Sequence, residues 1–490
     1  MLGKFDEQEN DLSGGEWSNP NPGANWLLRP KADLTPAIIA KAVAKRLKKL
    51  GVPADIVRRM DERIAVIEAK DRALASLKSQ SSSGVGDRTP WFCSGCPHNT
   101  STKVPEGSRA VAGIGCHYMV NWMDRSTSTF TQMGGEGVPW VGQAPFTTEK
   151  HIFANLGDGT YYHSGLLAIR QSLSSNVNIT YKILFNGAVA MTGGQPVDGQ
   201  IDVASTTREL EAEGVRRIVV VSDEPERYNS GVRLAEGTTV HHRDRLDAIQ
   251  RELREVPGVT VILYDQTCAT EKRRRRKRGT MAANPRRVVI NEAVCEGCGD
   301  CSVQSNCLSV EPLETEFGRK RRINQNTCNQ DFSCVNGFCP SFVSVEGTLK
   351  KPRPAKAKDA PALPEIPMPA LPAASTAWGI VVAGIGGTGV ITIGQLLGMA
   401  AHLEGKGVVT QDAAGLAQKG GATWSHIQIA DTQDAILTTK VDAAKADLVI
   451  GCEAIVAANP VTLGVMREGR TYVALNTHRS PTASFVNDPD

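Results

Sequence analysis

Residues 151–191 read HIFANLGDGTYYHSGLLAIRQSLSSNVNITYKILFNGAVAM. The pattern predicts a short apolar strand at 152–156, a helix-length segment, and a second strand at 181–185. Asp158 and Asn186 directly follow these strands, and in an open α/β sheet ligands bind at that edge. A carboxylate and an amide oxygen suit a hard cation that also carries phosphate oxygens and water. The stretch therefore favours a cation–phosphate site, and the alternative is an Asp-Gly turn in an ordinary βαβ unit.

Length, charge and cysteine content narrow the class of protein. A chain of 490 residues has room for about three domains, and its net charge of +3 gives no overall field that indicates nucleic acid. Twelve Cys are too dilute for a secreted disulfide scaffold, and their C-x-x-C groupings indicate metal or cluster ligation in a reducing compartment. The first residues show no signal peptide. We therefore expect a cytoplasmic protein.

Composition shifts divide the chain into seven parts. Residues 366–403 contain no Asp, Glu, Lys or Arg, but Gly and Pro crowd this stretch, so we interpret it as strand, turn and helix rather than a membrane span. The predicted parts are an extended arm (1–32), a helical linker (33–85), an α/β domain (86–270), a basic linker (271–289), a Cys-rich unit (290–348), a Pro/Ala/Lys linker (349–376) and a second, incomplete α/β domain (377–490).

Three cysteines lie before residue 120. Cys93 and Cys96 form a C-x-x-C pair, which places two thiolates on one tight turn, and Cys116 follows in Gly-Ile-Gly-Cys-His. A fourth ligand is needed, and Cys268, at the end of a predicted strand at 261–264, is the unassigned thiol nearest in sequence. Spacing alone leaves both an iron–sulfur cluster and zinc open.

The Cys-rich unit has a stronger signature. Cys295, Cys298, Cys301 and Cys307 have a spacing close to that of a bacterial ferredoxin, which predicts at least one [4Fe-4S] cluster. In a ferredoxin-like arrangement each cluster takes one ligand from the other group, so Cys295, Cys298 and Cys301 would share a cluster with Cys339, which precedes Pro340. Cys307, Cys328 and Cys334 would then remain for a second cluster that lacks one thiolate. Whether that cluster exists, or holds three irons, is open at this stage.

Two further patterns have alternative interpretations. The basic run at 272–278 favours a solvated linker over a docking patch for an acidic electron carrier, and it has no interleaved aromatics that would stack bases. Gly384, Gly386 and Gly389 form G-x-G-x-x-G between a predicted strand at 379–383 and a helix at 391–403. Asp412 is a candidate ribose ligand, so dinucleotide binding is open on this motif alone.

Several motifs together carry a resemblance. CSGCPH at 93–98, GIGCH at 113–117, the GDG…N pattern and YDQTCA at 264–269 resemble the thiamine diphosphate-binding part of the 2-oxoacid:ferredoxin oxidoreductases, closest to the fused indolepyruvate branch. GLAQKGG at 415–421 resembles the gamma domain of the same family, which is not a site of nicotinamide chemistry. The implied fold is multidomain α/β: a thiamine diphosphate-binding α/β sandwich, a small ferredoxin-like unit and a Rossmann-like gamma domain.

The resemblance also implies ligands. It assigns Mg²⁺ to the side chains of Asp158 and Asn186 and the carbonyl of Ala188, and a proximal [4Fe-4S] cluster to Cys93, Cys96, Cys116 and Cys268. His117 would lie near the cofactor, although a purely structural hydrogen bond is an equal alternative. The residues implied to contact the cofactor are Gly115, Cys116, His117, Gly157, Asp158, Gly159, Asn186, Ala188, Met191 and Thr192.

The implied activity is oxidative decarboxylation of a 2-oxoacid, most simply indolepyruvate or another arylpyruvate, to the acyl-coenzyme A and CO₂. Electrons would pass through two or three [4Fe-4S] clusters to ferredoxin, in a homo-oligomer with no nucleic-acid or membrane partner. No catalytic Glu for the pyrimidine ring is visible, so we expect a piece of a longer polypeptide or a split-gene subunit. The alternatives are an electron-transfer module without its own turnover, a pyruvate or 2-oxoglutarate enzyme, and a flavin- or NAD-linked reductase.

Overall fold

The computed structural model describes residues 35–80, 88–191, 194–197, 199, 201–229, 231–282, 284–347, 367, 373–413, 420–478 and 480–487. Four predictions fall outside these ranges: the arm at 1–32, most of the linker at 349–376, the cofactor contact of Thr192, and most of the GLAQKGG motif.

A seven-stranded parallel sheet is the centre of the molecule, with strand order β2-β1-β3-β4-β7-β5-β6. The middle strands are apolar runs buried on both faces, as parallel strands covered by helices require. The strands predicted at 152–156, 181–185 and 261–264 are confirmed, each one to three residues longer than expected. The strands are β1 Ala110–Ala112, β2 Thr127–Phe130, β3 Ile152–Gly157, β4 Ile179–Phe185, β5 Arg217–Ser222, β6 Thr239–His242 and β7 Val259–Asp265.

Helices cover this sheet and connect its strands. Asp158 is the first residue of the helix that follows β3, and this helix passes through one π-helical turn (Tyr161–Gly165) before it becomes regular again. The helices are α1 Pro36–Lys49, α2 Ala54–Gln80, α3 His98–Ser101, α4 Val138–Gln143, α5 Asp158–Thr160, α6 Leu166–Ser174, α7 Val203–Ala212, α8 Leu246–Leu253, α9 Ala269–Arg278, α10 Asp300–Ser305, α11 Val390–Leu403, α12 Ala454–Ala457, α13 Pro460–Val465 and α14 Ser484–Asn487. None of the described helices is long and apolar enough to cross a bilayer.

The Cys-rich unit contains two small antiparallel sheets. Strand β8 (Arg286–Ile290) pairs with β11 (Phe342–Glu346), and β9 (Val310–Thr315) pairs with β10 (Gly318–Ile323). The unit contacts the loop that precedes α3. Asn329 Nδ2 donates to the carbonyl of Ser94 in this loop at 2.8 Å.

The basic run at 272–278, which the sequence favoured as a solvated linker, is helical. It lies within α9, which begins directly after Cys268. Arg273 and Arg276 donate to the backbone carbonyls of Asn326 and Asn329, at 2.7 and 3.0 Å. The positive charges therefore attach the Cys-rich unit to the parallel sheet, a role that charge patterning alone does not indicate.

The C-terminal sheet has the order β13-β14-β12-β15-β16 and is mixed. Its strands are β12 Trp378–Ile385, β13 Gly407–Asp412, β14 Ala422–Ala430, β15 Ala446–Gly451 and β16 Tyr472–Leu475. Strand β14 is antiparallel to both β12 and β13 and separates them. Asp412 therefore lies one strand away from the Gly384–Gly389 loop, and Gln395 donates to its carboxylate at 2.8 Å. This order counts against the dinucleotide-binding alternative, in which the acid ends the strand beside the glycine loop.

Candidate active site

Four neighbouring strands deliver the predicted site residues to one edge of the parallel sheet. Cys116 follows β1, Asp158 follows β3, Asn186 follows β4 and Cys268 follows β7. These strands are consecutive in the sheet although they are far apart in sequence. The edge is the carboxyl end of each strand, where open α/β sheets bind ligands.

Asp158 joins the tips of β3 and β4. Its Oδ2 accepts from the backbone N–H groups of Asn186 and Gly187, both at 2.9 Å, and its Oδ1 accepts from Gly159 N–H at 2.8 Å. The side chain is 3% exposed, and this burial raises the pKa of the carboxyl against the opposing effect of the three N–H donors. A carboxylate has about four acceptor sites, so this one retains capacity for a cation.

The loop after β4 turns sharply beside Asp158. Gly187 adopts φ +69°, a left-handed conformation that favours glycine, and Asn186 Oδ1 accepts from Ala188 N–H at 3.1 Å. Asn186 and Ala188 are both buried. The carboxylate and the amide predicted as metal ligands are therefore neighbours, 28 residues apart in sequence. Met191 packs nearby on the apolar cluster that includes Cys96 and Cys116.

Cys93, Cys96, Cys116 and Cys268 line one pocket, which we call the proximal cysteine pocket. Asn186 lines the same pocket, and its carbonyl accepts from Cys268 N–H at 3.1 Å. The remaining walls are largely apolar and include Met119, Ala190 and Ala269. Burial, followed by the proximity of the other three cysteines, raises the pKa of the Cys96 thiol. The pocket thus adjoins the loop that carries Asn186.

The donor set of this pocket consists of four cysteine thiols. Cys93, Cys96, Cys116 and Cys268 line it together, and four Cys thiolates are the ligands that a [4Fe-4S] cluster uses. Four thiolates are also a donor set for structural zinc, so both alternatives named from the spacing agree with these residues.

His117 lies against the glycines of both motifs. A Cβ added at Gly157 would lie 3.6 Å from its Cε1, and one added at Gly115 would lie 2.6 Å away, so an alanine at 115 would displace the ring. The ring is 1% exposed, and its Nε2 has no hydrogen-bond partner among the described residues. Burial and the charge of Lys182 lower the pKa of His117 to about 4. The imidazole is therefore neutral near pH 7.

Sequence reasoning missed two buried charged residues beside this site. Glu136 is fully buried next to Gly113, and its Oε2 accepts from Gly134 N–H at 2.7 Å. Lys182, on β4, donates to the carbonyls of Ser101 and Lys103 at 2.7 and 3.0 Å. Burial raises the pKa of Glu136 and lowers that of Lys182 to about 7. The only sequence signals were an acid between glycines and a Lys inside an apolar strand.

Six of the seven cysteines of the Cys-rich unit form two groups. Cys307, Cys328 and Cys334 line a second pocket, which we call the distal pocket. Cys295, Cys298 and Cys301 lie together, and burial raises the pKa of the Cys301 thiol to about 11.

Cys339 lies in the turn that leads into β11. Asn291 N–H donates to the carbonyl of Ser341 at 2.8 Å, so this turn lies beside the one that leads into Cys295. The pairing of Cys339 with Cys295, Cys298 and Cys301 stays a prediction.

Three family models match the chain. Residues 1–77 match the indolepyruvate ferredoxin oxidoreductase middle domain, residues 113–263 match the C-terminal TPP-binding domain of thiamine pyrophosphate enzymes, and residues 379–489 match pyruvate ferredoxin/flavodoxin oxidoreductase. Together the three matches support membership of the 2-oxoacid:ferredoxin oxidoreductase family. The second match covers β3, β4 and the loops that carry Asp158 and Asn186, which supports thiamine diphosphate as a cofactor.

Curated relatives agree with the family. The chain is 26% identical to the indolepyruvate oxidoreductase subunit IorA of Thermococcus kodakarensis over 46% of this chain and 36% of that protein. It is 32% identical to subunit IorB of Archaeoglobus fulgidus over 23% of this chain and 54% of that protein. The chain thus spans about a third of the length of the IorA relatives that it matches.

A solved 2-oxoglutarate:ferredoxin oxidoreductase from Magnetococcus marinus is 19% identical, with 40% of this chain and 68% of that one covered, at a TM-score of 0.29. At that score the likeness carries no functional argument.

Proposed function

We propose that the chain is the cofactor-binding and electron-transfer portion of an indolepyruvate-type 2-oxoacid:ferredoxin oxidoreductase. It would decarboxylate an arylpyruvate oxidatively, transfer the acyl group to coenzyme A and reduce ferredoxin. The single observation that carries the proposal is the continuity between two sites: Cys268 donates its N–H to the carbonyl of Asn186, whose own N–H donates to Asp158. A diphosphate site and a four-thiol pocket thus share one loop.

Each part of this edge has a chemical task. Asp158 and Asn186, with the carbonyl of Ala188, would hold Mg²⁺ and through it the diphosphate of the cofactor. When bound, thiamine diphosphate supplies stabilisation of a carbanion at the substrate carbon. Cys93, Cys96, Cys116 and Cys268 would hold a [4Fe-4S] cluster. His117, neutral and with Nε2 unpaired among the described residues, can donate or accept one further hydrogen bond.

The buried environment favours electron transfer over side reactions. The walls of the proximal cysteine pocket are mostly apolar, so they would exclude water from a cluster held by its four thiols. Iron–sulfur clusters accept single electrons, and two such steps are needed for each substrate. The Cys-rich unit, attached to the sheet by Arg273 and Arg276, would continue the path towards ferredoxin.

The diphosphate site is tested by calorimetric titration of the anaerobically purified chain with thiamine diphosphate in the presence and absence of Mg²⁺. We expect Mg²⁺-dependent binding that Asp158→Asn weakens about 100-fold, since an amide replaces the carboxylate that orders the loop after β4. Asp247→Asn, an exposed acid paired with Arg251 on α8, is the matched control and should bind as the unaltered chain does.

Two results would contradict the proposal. Equal binding by Asp158→Asn would show that this carboxylate is not part of the site. A chain that contains iron and sulfide but binds no thiamine diphosphate would be an electron-transfer module. In the assembled enzyme, reduction of ferredoxin with indolepyruvate, pyruvate or 2-oxoglutarate distinguishes the substrate classes, and a preference for either of the last two would overturn the arylpyruvate assignment.

A further inference from the structure

The Cys-rich unit contains an internal repeat offset by 33 residues. Residues 290–301 read INEAVCEGCGDC, and residues 323–334 read INQNTCNQDFSC. Each copy begins at the last residue of a strand, Ile290 of β8 and Ile323 of β10. The two copies align without gaps, and Asp331 then occupies the place of Cys298.

The entry into both copies has the same hydrogen bonds. Cys295 N–H donates to the carbonyl of Asn291, and Cys328 N–H to that of Asn324, both at 3.0 Å. The Asn side-chain oxygen accepts the N–H two residues on, at 3.1 Å in the first copy and 3.0 Å in the second. The resemblance is therefore one of backbone structure as well as of sequence.

The turns that follow are also alike. Gly297 N–H lies 3.4 Å from Cys295 Sγ, and Gln330 N–H lies 3.4 Å from Cys328 Sγ. The φ angles of the paired positions are +78° and +59° at Gly297 and Gln330, and +79° and +65° at Gly299 and Phe332. Residues other than Gly adopt these left-handed φ angles at a cost in free energy, and Phe adopts them rarely. The second copy keeps the shape of a C-x-x-C-x-x-C turn although it lacks both glycines and the middle Cys.

The position of Asp331 fits this correspondence. It lines the distal pocket together with Cys307, Cys328 and Cys334. Its Oδ1 accepts from Gln266 Nε2 at 3.0 Å and pairs with Arg243, so the carboxylate is held in one orientation. Its Oδ2 accepts from the hydroxyl of Ser333, a rotor that can turn away.

We propose that Asp331 supplies, through Oδ2, the fourth ligand of a [4Fe-4S] cluster whose other ligands are Cys307, Cys328 and Cys334. This assignment rests on the proposed function, since it requires that the unit carries clusters. It accounts for the thiolate that the second group lacks. A carboxylate oxygen is a harder and weaker ligand for cluster iron than a thiolate, so the iron on Asp331 is the one that oxidation releases.

The test uses the full chain, purified anaerobically and examined by iron analysis and electron paramagnetic resonance before and after mild ferricyanide oxidation. The unaltered chain is expected to lose one iron per chain and to show the signal of a three-iron cluster, which ferrous iron and a reductant reverse. Asp331→Cys restores a thiolate and should reduce that signal at least tenfold. Asp331→Ala should show the signal before any oxidation.

The first copy provides a matched control. Cys298→Asp makes it resemble the second copy, and a second three-iron signal should appear on oxidation. If Asp331 acts only as the partner of Arg243, Asp331→Cys and Asp331→Ala will behave alike, and that result would overturn the assignment. If clusters are present but both variants give the same spectra as the unaltered chain, the assignment would be overturned as well. A chain without any iron would instead overturn the proposed function and this assignment with it.

Discussion

The proximal cysteine pocket and the Cys-rich unit gather thiols in opposite ways. The first collects Cys93, Cys96, Cys116 and Cys268 from loops at one edge of a seven-stranded sheet. The second places five of its seven Cys within two turns of the same shape, and Cys307 and Cys339 follow these turns by six and five residues. Strand order therefore determines the first arrangement, whereas local backbone geometry determines the second. A substitution in the sheet should therefore change the cluster signal of the proximal cysteine pocket alone. A substitution where the pocket and the Cys-rich unit touch should change the signals of both.

Removal of one thiol from the proximal cysteine pocket should have the largest effect. Cys116→Ala should cost about one to four irons per chain and change the corresponding resonance signal, because one cluster iron loses its protein ligand. Iron in the Cys-rich unit should remain, since its ligands belong to another segment. Iron analysis and electron paramagnetic resonance check this result.

Cys452→Ala is the control for that variant, because Cys452 lies in the C-terminal sheet region beside Gly384. It should keep its full iron content. Equal iron loss in the two variants, or loss of all clusters in Cys116→Ala, would mean that the two cysteine regions are not independent.

The turn between Cys93 and Cys96 connects the two regions. Gly95 has φ +67°, and a Cβ added there would lie 3.0 Å from Cβ of Asp331 and 3.3 Å from Cβ of Asn329. Gly95→Ala should lower the free energy of unfolding by about 2 kcal/mol, the sum of left-handed strain and this close contact, and should perturb the signals of both cluster regions.

Gly107→Ala separates these two causes. Gly107 has φ +74° but no heavy atom within 4 Å of its added Cβ, so only the strain of about 1 kcal/mol should remain. Denaturant unfolding of both variants gives the comparison. Identical losses would show that the contact with Asp331 and Asn329 contributes nothing.

A smaller difference concerns pH. His151 directly precedes β3 of the parallel sheet, and burial and the charge of Arg254 lower its pKa to about 4, whereas residues 290–347 contain no His. Below pH 6.5 the unfolded chain binds a proton that the folded sheet excludes, so stability falls as pH drops from about 6.5 towards 4. His151→Gln should reduce that slope by up to about 1 kcal/mol per pH unit in denaturant titrations at pH 7, 6 and 5. An unchanged slope would contradict the lowered pKa.

The amino-acid sequence by itself determined the α/β class, the positions of β3, β4 and β7 and the grouping of the distal thiols. Long apolar runs and short Cys spacings are local signals, because they depend on burial of a strand and on the reach of one turn. The Asp158–Asn186 pair was also predictable, since the carboxyl ends of parallel strands meet at one edge.

Only the tertiary structure decided which strands are neighbours. It placed Cys268 beside Asn186, inserted β14 between β12 and β13, and turned the basic run into a helix that attaches the Cys-rich unit. It also buried Glu136 and Lys182. Sheet order and the burial of a charge depend on contacts between distant segments, whose free energies no local pattern of residues contains.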